Sequence, residues 1–328
     1  MCCVGNIKNN NRIRNLRVLR QVDPTRTLTL RKTLERKITK RFRWLKGQIN
    51  KSIITNDCFG LKIPQNNNFV VISINEPIPK NKLAFESNNE KINSFTEWLQ
   101  KQVDNVILET ITNTPISKAI ENIWTNKYIS DSYKKGIIRG RQELKNKGYI
   151  VPELQGSFDL QSTFNSSVNK DTVEVLYSRI YKGLKGITDE MLKQVFNVLA
   201  QDITENKGPN EIAKEINDRI EKIGVTRARI LAQTEIVRAY HQATIKEYEQ
   251  WDVVGVSVLT ELLTAGDDRV CSICNQAALK DNGLGVGIYT LEQALGLIPI
   301  HPLCRCCCIP IGSINDKKVK DILDGEII

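Results

Sequence analysis

From Leu30 the apolar positions recur at steps of four and three, through Leu34, Ile38, Phe42, Leu45, Ile49 and Ile53, which predicts an amphipathic helix of about six turns. Two further stripes predict two more helices. One runs through Phe95, Trp98, Leu99, Val103, Val106 and Ile107; the other runs through Ile120, Ile123, Trp124, Tyr128 and Ile137 to Leu144. Trp98 and Trp124 sit on these stripes and read as core anchors rather than stacking platforms. Between the first helix and the second, residues 60–90 are rich in Asn and Pro. Their one strand-like run, Phe69–Ile74, is closed by Pro77 and Pro79, so the segment is expected to be irregular with a hairpin.

A polar stretch containing Gly and Ser, Gln155 to Asn169, reads as a boundary. Beyond it, Val173, Leu176, Tyr177 and Ile180 predict a short helix, which Gly183-Leu184-Lys185-Gly186 is expected to break. Thr188 then caps a helix reaching about Asn206, and Lys207-Gly208-Pro209-Asn210 ends it and caps the next, with Ile212, Ile216, Ile220 and Ile223 as its apolar stripe. A helix follows from about Thr226 to Glu249, and Gly255–Leu259 reads as a strand. The expected fold is mainly α with a small α+β C-terminal module, zinc-stabilised. Its parts are a basic arm over 1–29, a helical region over 30–155, a linker over 156–169, a C-terminal domain over 170–311 and a tail over 312–328.

Composition adds limits. The chain has 328 residues, 41% hydrophobic and 26% charged, and no apolar run approaches the ~20 residues of a membrane span. Met1-Cys2-Cys3-Val4-Gly5 lacks the apolar core of a secretory signal, so a reducing compartment is expected, and no apolar flank supports lipidation at Cys2 or Cys3. The net charge of +10 is uneven: residues 11–51 hold 14 Lys and Arg against Asp23 and Glu35, a balance of +12. Arg12, Arg14, Arg17 and Arg20 lie on the arm; Arg31, Lys32, Arg36, Lys37, Lys40, Arg41, Arg43 and Lys46 lie on the first helix. Such a cluster suits a phosphate backbone or an acidic protein surface, where bound cations release counterions without reading sequence.

The chemistry is concentrated near the C-terminus, where six of the nine cysteines and one of the two histidines fall between 271 and 308. Cys271-Ser272-Ile273-Cys274 has the spacing with which two thiolates chelate one zinc from a tight turn. Cys304 and Cys306 are the expected partners, with His301 as the alternative ligand, while Cys307 and Cys308 either compete as ligands or pack. Reduced thiols in a small core are the plain rival reading. The strand–helix context of a redox CxxC is absent. Gly283-Leu284-Gly285-Val286-Gly287 lacks the Lys-Ser/Thr of a phosphate loop and reads as a turn. Thr234, Arg238 and His241 share one helix face, but a His beside Tyr240 reads as structural, and no catalytic residue is assigned.

Three runs in order carry a resemblance: Arg227–Glu235, then Thr264–Cys274, then Ile298–Cys306, with Tyr289–Ala294 between the last two. Together they resemble the head-morphogenesis domain of phage Mu F-like minor head proteins over about 170–311. Asp23-Pro24-Thr25, Arg41–Trp44 and Asp57–Leu61 resemble the N-terminal part of tailed-phage members. The chain departs in reading Gln233 where members have Arg, and in its extra Cys307-Cys308 pair. The resemblance implies a non-enzymatic minor capsid protein acting near the portal in head assembly and genome packaging or delivery. It implies as partners the portal protein, scaffold or major capsid protein and phage DNA, with no membrane and no small-molecule substrate. It implies residence in the virion, at the capsid interior or portal vertex, and in the host cytoplasm during assembly. The alternatives are a zinc-containing nucleic-acid-binding module outside the virion, and a nuclease or transferase fused to a head domain.

Overall fold

The computed structural model describes residues 23–61, 85, 87–109, 123–252 and 258–311. The Phe69–Ile74 hairpin, residues 1–22 of the arm, the tail and residues 255–257 of the expected strand lie outside the described residues. The elements in chain order are α1 (Leu28–Asn50), α2 (Asn88–Gln102), α3 (Asn126–Asn146), α4 (Gly156–Phe164), α5 (Ser167–Thr204), α6 (Pro209–Arg219), α7 (Thr226–Asp252), β1 (Thr260–Leu263), α8 (Ser272–Leu279), β2 (Ile288–Tyr289), α9 (Leu291–Leu295) and β3 (Cys307–Pro310). Single π-helical turns extend α1, α2 and α6. The chain packs as two compact units, one formed by 1–33, 126–177 and 232–328, the other by 34–125 and 178–231.

In the unit formed by 34–125 and 178–231, the predicted α1 stripe is the core: Leu34, Ile38, Phe42, Leu45, Ile49 and Ile53 are fully buried. Each such side chain contributes ~1.5–3 kcal/mol relative to exposure. Phe59, Phe95 and Trp98 form an aromatic cluster with ring centroids 5.2 to 5.7 Å apart, and the Trp124 indole N–H donates to the Ile107 carbonyl at 3.0 Å. Both tryptophans therefore pack as anchors.

The expected break at Gly183–Gly186 does not occur, and α5 runs unbroken over 38 residues. A Cβ on Gly183 would lie 2.8 Å from Leu231 Cδ1, so this glycine admits a neighbour instead of ending a helix. Thr188 is no cap either, because its hydroxyl donates back to the Lys185 carbonyl at 2.8 Å. The next helix end matches expectation. Asn206 is left-handed (φ 54), Pro209 opens α6, and the Lys207 ammonium lies 2.7, 3.1 and 2.8 Å from Asp202, Glu205 and Glu215.

The unit formed by 1–33, 126–177 and 232–328 is built on the contact of α3 with α7. Ser132, Gly136 and Gly140 recur every four residues along α3 and bring the two backbones together. A Cβ on Gly136 would lie 2.4 Å from the Tyr240 carbonyl oxygen, and one on Gly140 would lie 2.9 Å from Glu247 Cβ. Polar bonds cross the same seam. The Ser132 hydroxyl donates to the Ile236 carbonyl at 2.7 Å, and Arg141 pairs with the buried Glu247, which also accepts the Trp251 indole N–H at 3.1 Å. The segment 156–169, expected as a linker, is largely helical because tertiary contacts order it: the Phe164 ring meets Tyr133 edge-on at 6.0 Å, and the Tyr133 hydroxyl donates to Asn169 at 2.7 Å.

The C-terminal module hangs on α7. Its sheet has the order β2-β1-β3, all antiparallel, with Thr260 opposite Tyr289 and Pro310, and Leu263 opposite Cys307. The strand begins at Thr260, later than the 255–259 expected. His241 is fully buried on α7 and its Nε2 donates to the Ala294 carbonyl at 2.7 Å, tying α9 to the helix. Burial pulls its pKa down to about 4, so the ring is neutral near pH 7.

Overpacking the α3–α7 seam with Gly136→Ala is expected to cost ~1–3 kcal/mol. Gly47→Ala, at a helical position with nothing within 4 Å of its added Cβ, is expected to gain up to ~1 kcal/mol. Urea denaturation followed by circular dichroism measures both signs. Because the folded state depresses the His241 pKa, stability is fully present above the unfolded value of about 6.5 and falls as pH drops toward the folded value. Between pH 7 and pH 4 the wild type is expected to lose ~3 kcal/mol more than His241→Gln, read from paired urea titrations.

Candidate metal centre

Two turns converge on one point of the module. The first leaves β1 and reaches Cys271, which is the N-cap of α8, so its sulfur accepts the Cys274 backbone N–H at 3.4 Å. This bond is the main reason that the Cys271 pKa lies below the usual thiol value. The second turn runs from Ile300 into β3. The Cys304 N–H donates to the His301 carbonyl at 3.1 Å, and Leu303 takes a left-handed conformation (φ 66) while its N–H donates to the Thr234 hydroxyl at 3.2 Å. An ion pair closes the two turns on each other: the Arg305 guanidinium grips Asp267 with contacts of 2.5 and 2.6 Å, holding that carboxyl well below the usual range.

The result brings together all five donors expected from the sequence. Cys271, Cys274 and His301 form one triad with donor atoms within 4.8 Å of one another, and Cys274, Cys304 and Cys306 form a second. His301 Nε2 lies 3.1 Å from the sulfurs of both Cys271 and Cys274, and Cys274 Sγ lies 3.9 Å from Cys304 Sγ. Two sulfurs bound to one tetrahedral zinc stand about 3.8 Å apart, and a sulfur and a nitrogen about 3.6 Å. The Cys274–Cys304 spacing fits directly, and His301 needs to withdraw by about half an ångström. The donor set is soft sulfur with one imidazole, which suits zinc and excludes the hard cations magnesium and calcium.

Within the second triad the thiols are coupled: contact with Cys274 and Cys306 lowers the Cys304 pKa far below the usual thiol value, contact with Cys304 pushes Cys274 up to about 12, and contact with Cys274 and then Cys304 raises Cys306. Cys307 and Cys308 do not join it. Both are buried in strand β3, and burial raises both thiols; Cys307 senses the charges of Glu143 and Arg139, and Cys308 belongs to the apolar core.

Of the basic positions named from the sequence, Arg12, Arg14, Arg17 and Arg20 lie outside the described residues. On α1, Lys32, Arg36, Lys37, Lys40 and Arg43 are exposed. Three others pair with carboxylates within the fold. Arg31 is 4% exposed and pairs with Asp23 at 2.7 Å; Arg41 pairs with Glu109 at 2.6 Å and stacks 4.1 Å over the Trp124 ring; Lys46 pairs with Glu221 at 3.0 Å. Each carboxylate lies on a different segment from its cation or at the segment's start, so a sum of charges along the sequence does not reveal the pairing. Thr234 and His241, which position the module, were legible as one helix face but not as its anchors.

Residues 193–309 match a protein family described as phage Mu protein F like protein. No curated protein and no solved structure matches the chain. The match starts inside α5, ends in β3 and encloses all five donors, and it is narrower than the 170–311 expected. Over this segment, about a third of the chain, the protein is similar to the phage Mu protein F-like family.

Proposed function

We propose that the protein is a minor structural component of a tailed-phage head, acting near the portal in head assembly and in genome packaging or delivery. The observation that carries this reading is the Mu F-like match over 193–309, which coincides with the module that holds the Cys/His cluster. Similarity to this family supports a head-morphogenesis role, with other head components (portal, scaffold or major capsid protein) as partners. No helix among the described residues is long and apolar enough to cross a membrane.

The cluster serves as a structural zinc site rather than a catalytic one. Cys271, Cys274 and His301 form one triad and Cys274, Cys304 and Cys306 another, so a tetrahedral ion held by four of these donors would keep no position open for a substrate or an activated water. The protein is accordingly not an enzyme in this reading. Contact with DNA or with an acidic face of a partner falls to the basic N-terminal segment. On α1 this surface narrows to Lys32, Arg36, Lys37, Lys40 and Arg43. Lys32, Arg36, Lys40 and Arg43 follow steps of four and three, which places them on one side of the helix.

Mass spectrometry of purified virions and procapsids is expected to find the chain in low copy in at least one of them. Its absence from both, with zinc and DNA binding intact, would leave a nucleic-acid-binding module outside the virion as the better description. Reversing charge at Arg36, Lys40 and Arg43 together is expected to lower the slope of log affinity against log salt for DNA by about 2 to 3. Filter binding across a salt series reads the slope, and an unchanged slope moves the DNA contact elsewhere.

A further inference from the structure

Five donors compete for four positions, and the geometry points to Cys271, Cys274, His301 and Cys304 as the ligands, with Cys306 standing outside the set. This assignment rests on the metal-site reading above and departs from the four-cysteine set that the sequence favoured.

The first argument is spacing. Cys271-x-x-Cys274 is matched by His301-x-x-Cys304, so both halves present two donors across the same two-residue gap. Each gap is closed as a tight turn by the N–H of its last residue: Cys274 N–H to the Cys271 sulfur at 3.4 Å, Cys304 N–H to the His301 carbonyl at 3.1 Å. Cys306 stands in a one-residue gap that leads into β3, where neighbouring side chains alternate between faces.

The second argument is the state of His301. Its Nδ1 lies 2.6 Å from the Pro302 carbonyl oxygen, an acceptor only, so that nitrogen carries the ring proton. The Nε2 lone pair is thereby left bare and aimed between two sulfurs, 3.1 Å from each. One lone pair accepts one S–H well; a cation between the three atoms satisfies all of them at once. A ligating histidine typically donates its second ring N–H to a carbonyl or carboxylate, and Pro302 supplies that carbonyl.

The third argument is proximity. Cys274 Sγ lies 3.9 Å from Cys304 Sγ, about the separation of two sulfurs on one tetrahedral zinc, which ties Cys304 to the triad of Cys271, Cys274 and His301.

The test loads the full chain with Co²⁺, whose visible and charge-transfer absorption reports the number of thiolates bound. One Co²⁺ per chain with a three-thiolate, one-imidazole spectrum is expected, displaced by one Zn²⁺. Cys306→Ser is expected to keep both stoichiometry and spectrum. His301→Cys is expected to keep the metal and raise the sulfur charge-transfer intensity by about one third, as three thiolates become four. A four-thiolate spectrum in the wild type that drops to three in Cys306→Ser overturns the assignment and leaves the metal site standing. A wild-type chain that binds neither ion overturns the metal site itself, and the assignment with it.

Discussion

The backbone contact between α3 and α7 is the constraint on which the unit bearing the metal centre depends. A Cβ at Gly136 would stand 2.4 Å from a main-chain oxygen, so the separation of the two helices is set by the lack of a side chain rather than by the fit of one. That approach fixes α7, and α7 carries the anchors of the C-terminal module. The Thr234 hydroxyl accepts the Leu303 N–H one residue before Cys304, and the buried, neutral His241 ring donates to the Ala294 carbonyl. The second pair of donors is thus placed because α7 holds the segment that leads into it and the turn that carries it.

The same distinction between committed and available groups governs the charge. Residues 11–51 carry a large cationic excess, yet Arg31, Arg41 and Lys46 spend their charge on Asp23, Glu109 and Glu221. Arg31 and Asp23 close the start of α1, and the Asp23 carboxylate also accepts the Leu28 N–H at 2.8 Å, an orphan donor of the first helical turn. Removing one partner of such a buried pair costs more than an exposed pair contributes, because a charge is left without compensation. Lys32, Arg36, Lys37, Lys40 and Arg43 on α1 are exposed.

Periodicity made α1 legible, since a stripe of Leu34, Ile38, Phe42, Leu45, Ile49 and Ile53 states its buried face in the sequence itself. Glycine did not declare its role. Gly183 reads as a breaker until Leu231 is placed against it, and Gly136 and Gly140 pass as ordinary helix residues until α7 is brought up to them. The chemistry was legible as a set of residue types, and every donor named from the sequence enters the cluster. Its internal order was not, because a CxC pair draws attention from the His301-x-x-Cys304 spacing that overlaps it. The direction of the imidazole lone pair favours the set that contains His301.

The size of the module explains why a metal belongs there. Its strands span four, two and four residues, too little sheet to hold a fold by ladder bonds alone. Two clamps join the turn at 267–274 to the turn at 301–306. One is the Asp267–Arg305 pair, whose side chains are 23% and 21% exposed; solvent screens such a pair to ~1 kcal/mol or less. The other is the Cys/His cluster, where a bound structural zinc contributes on the order of 10 kcal/mol in small domains. The ion pair orients Arg305, and with it the flanking Cys304 and Cys306, without any ion; a metal bound at the cluster would supply most of the cohesion. Such a centre would add rigidity that the short strands of the module do not supply by themselves.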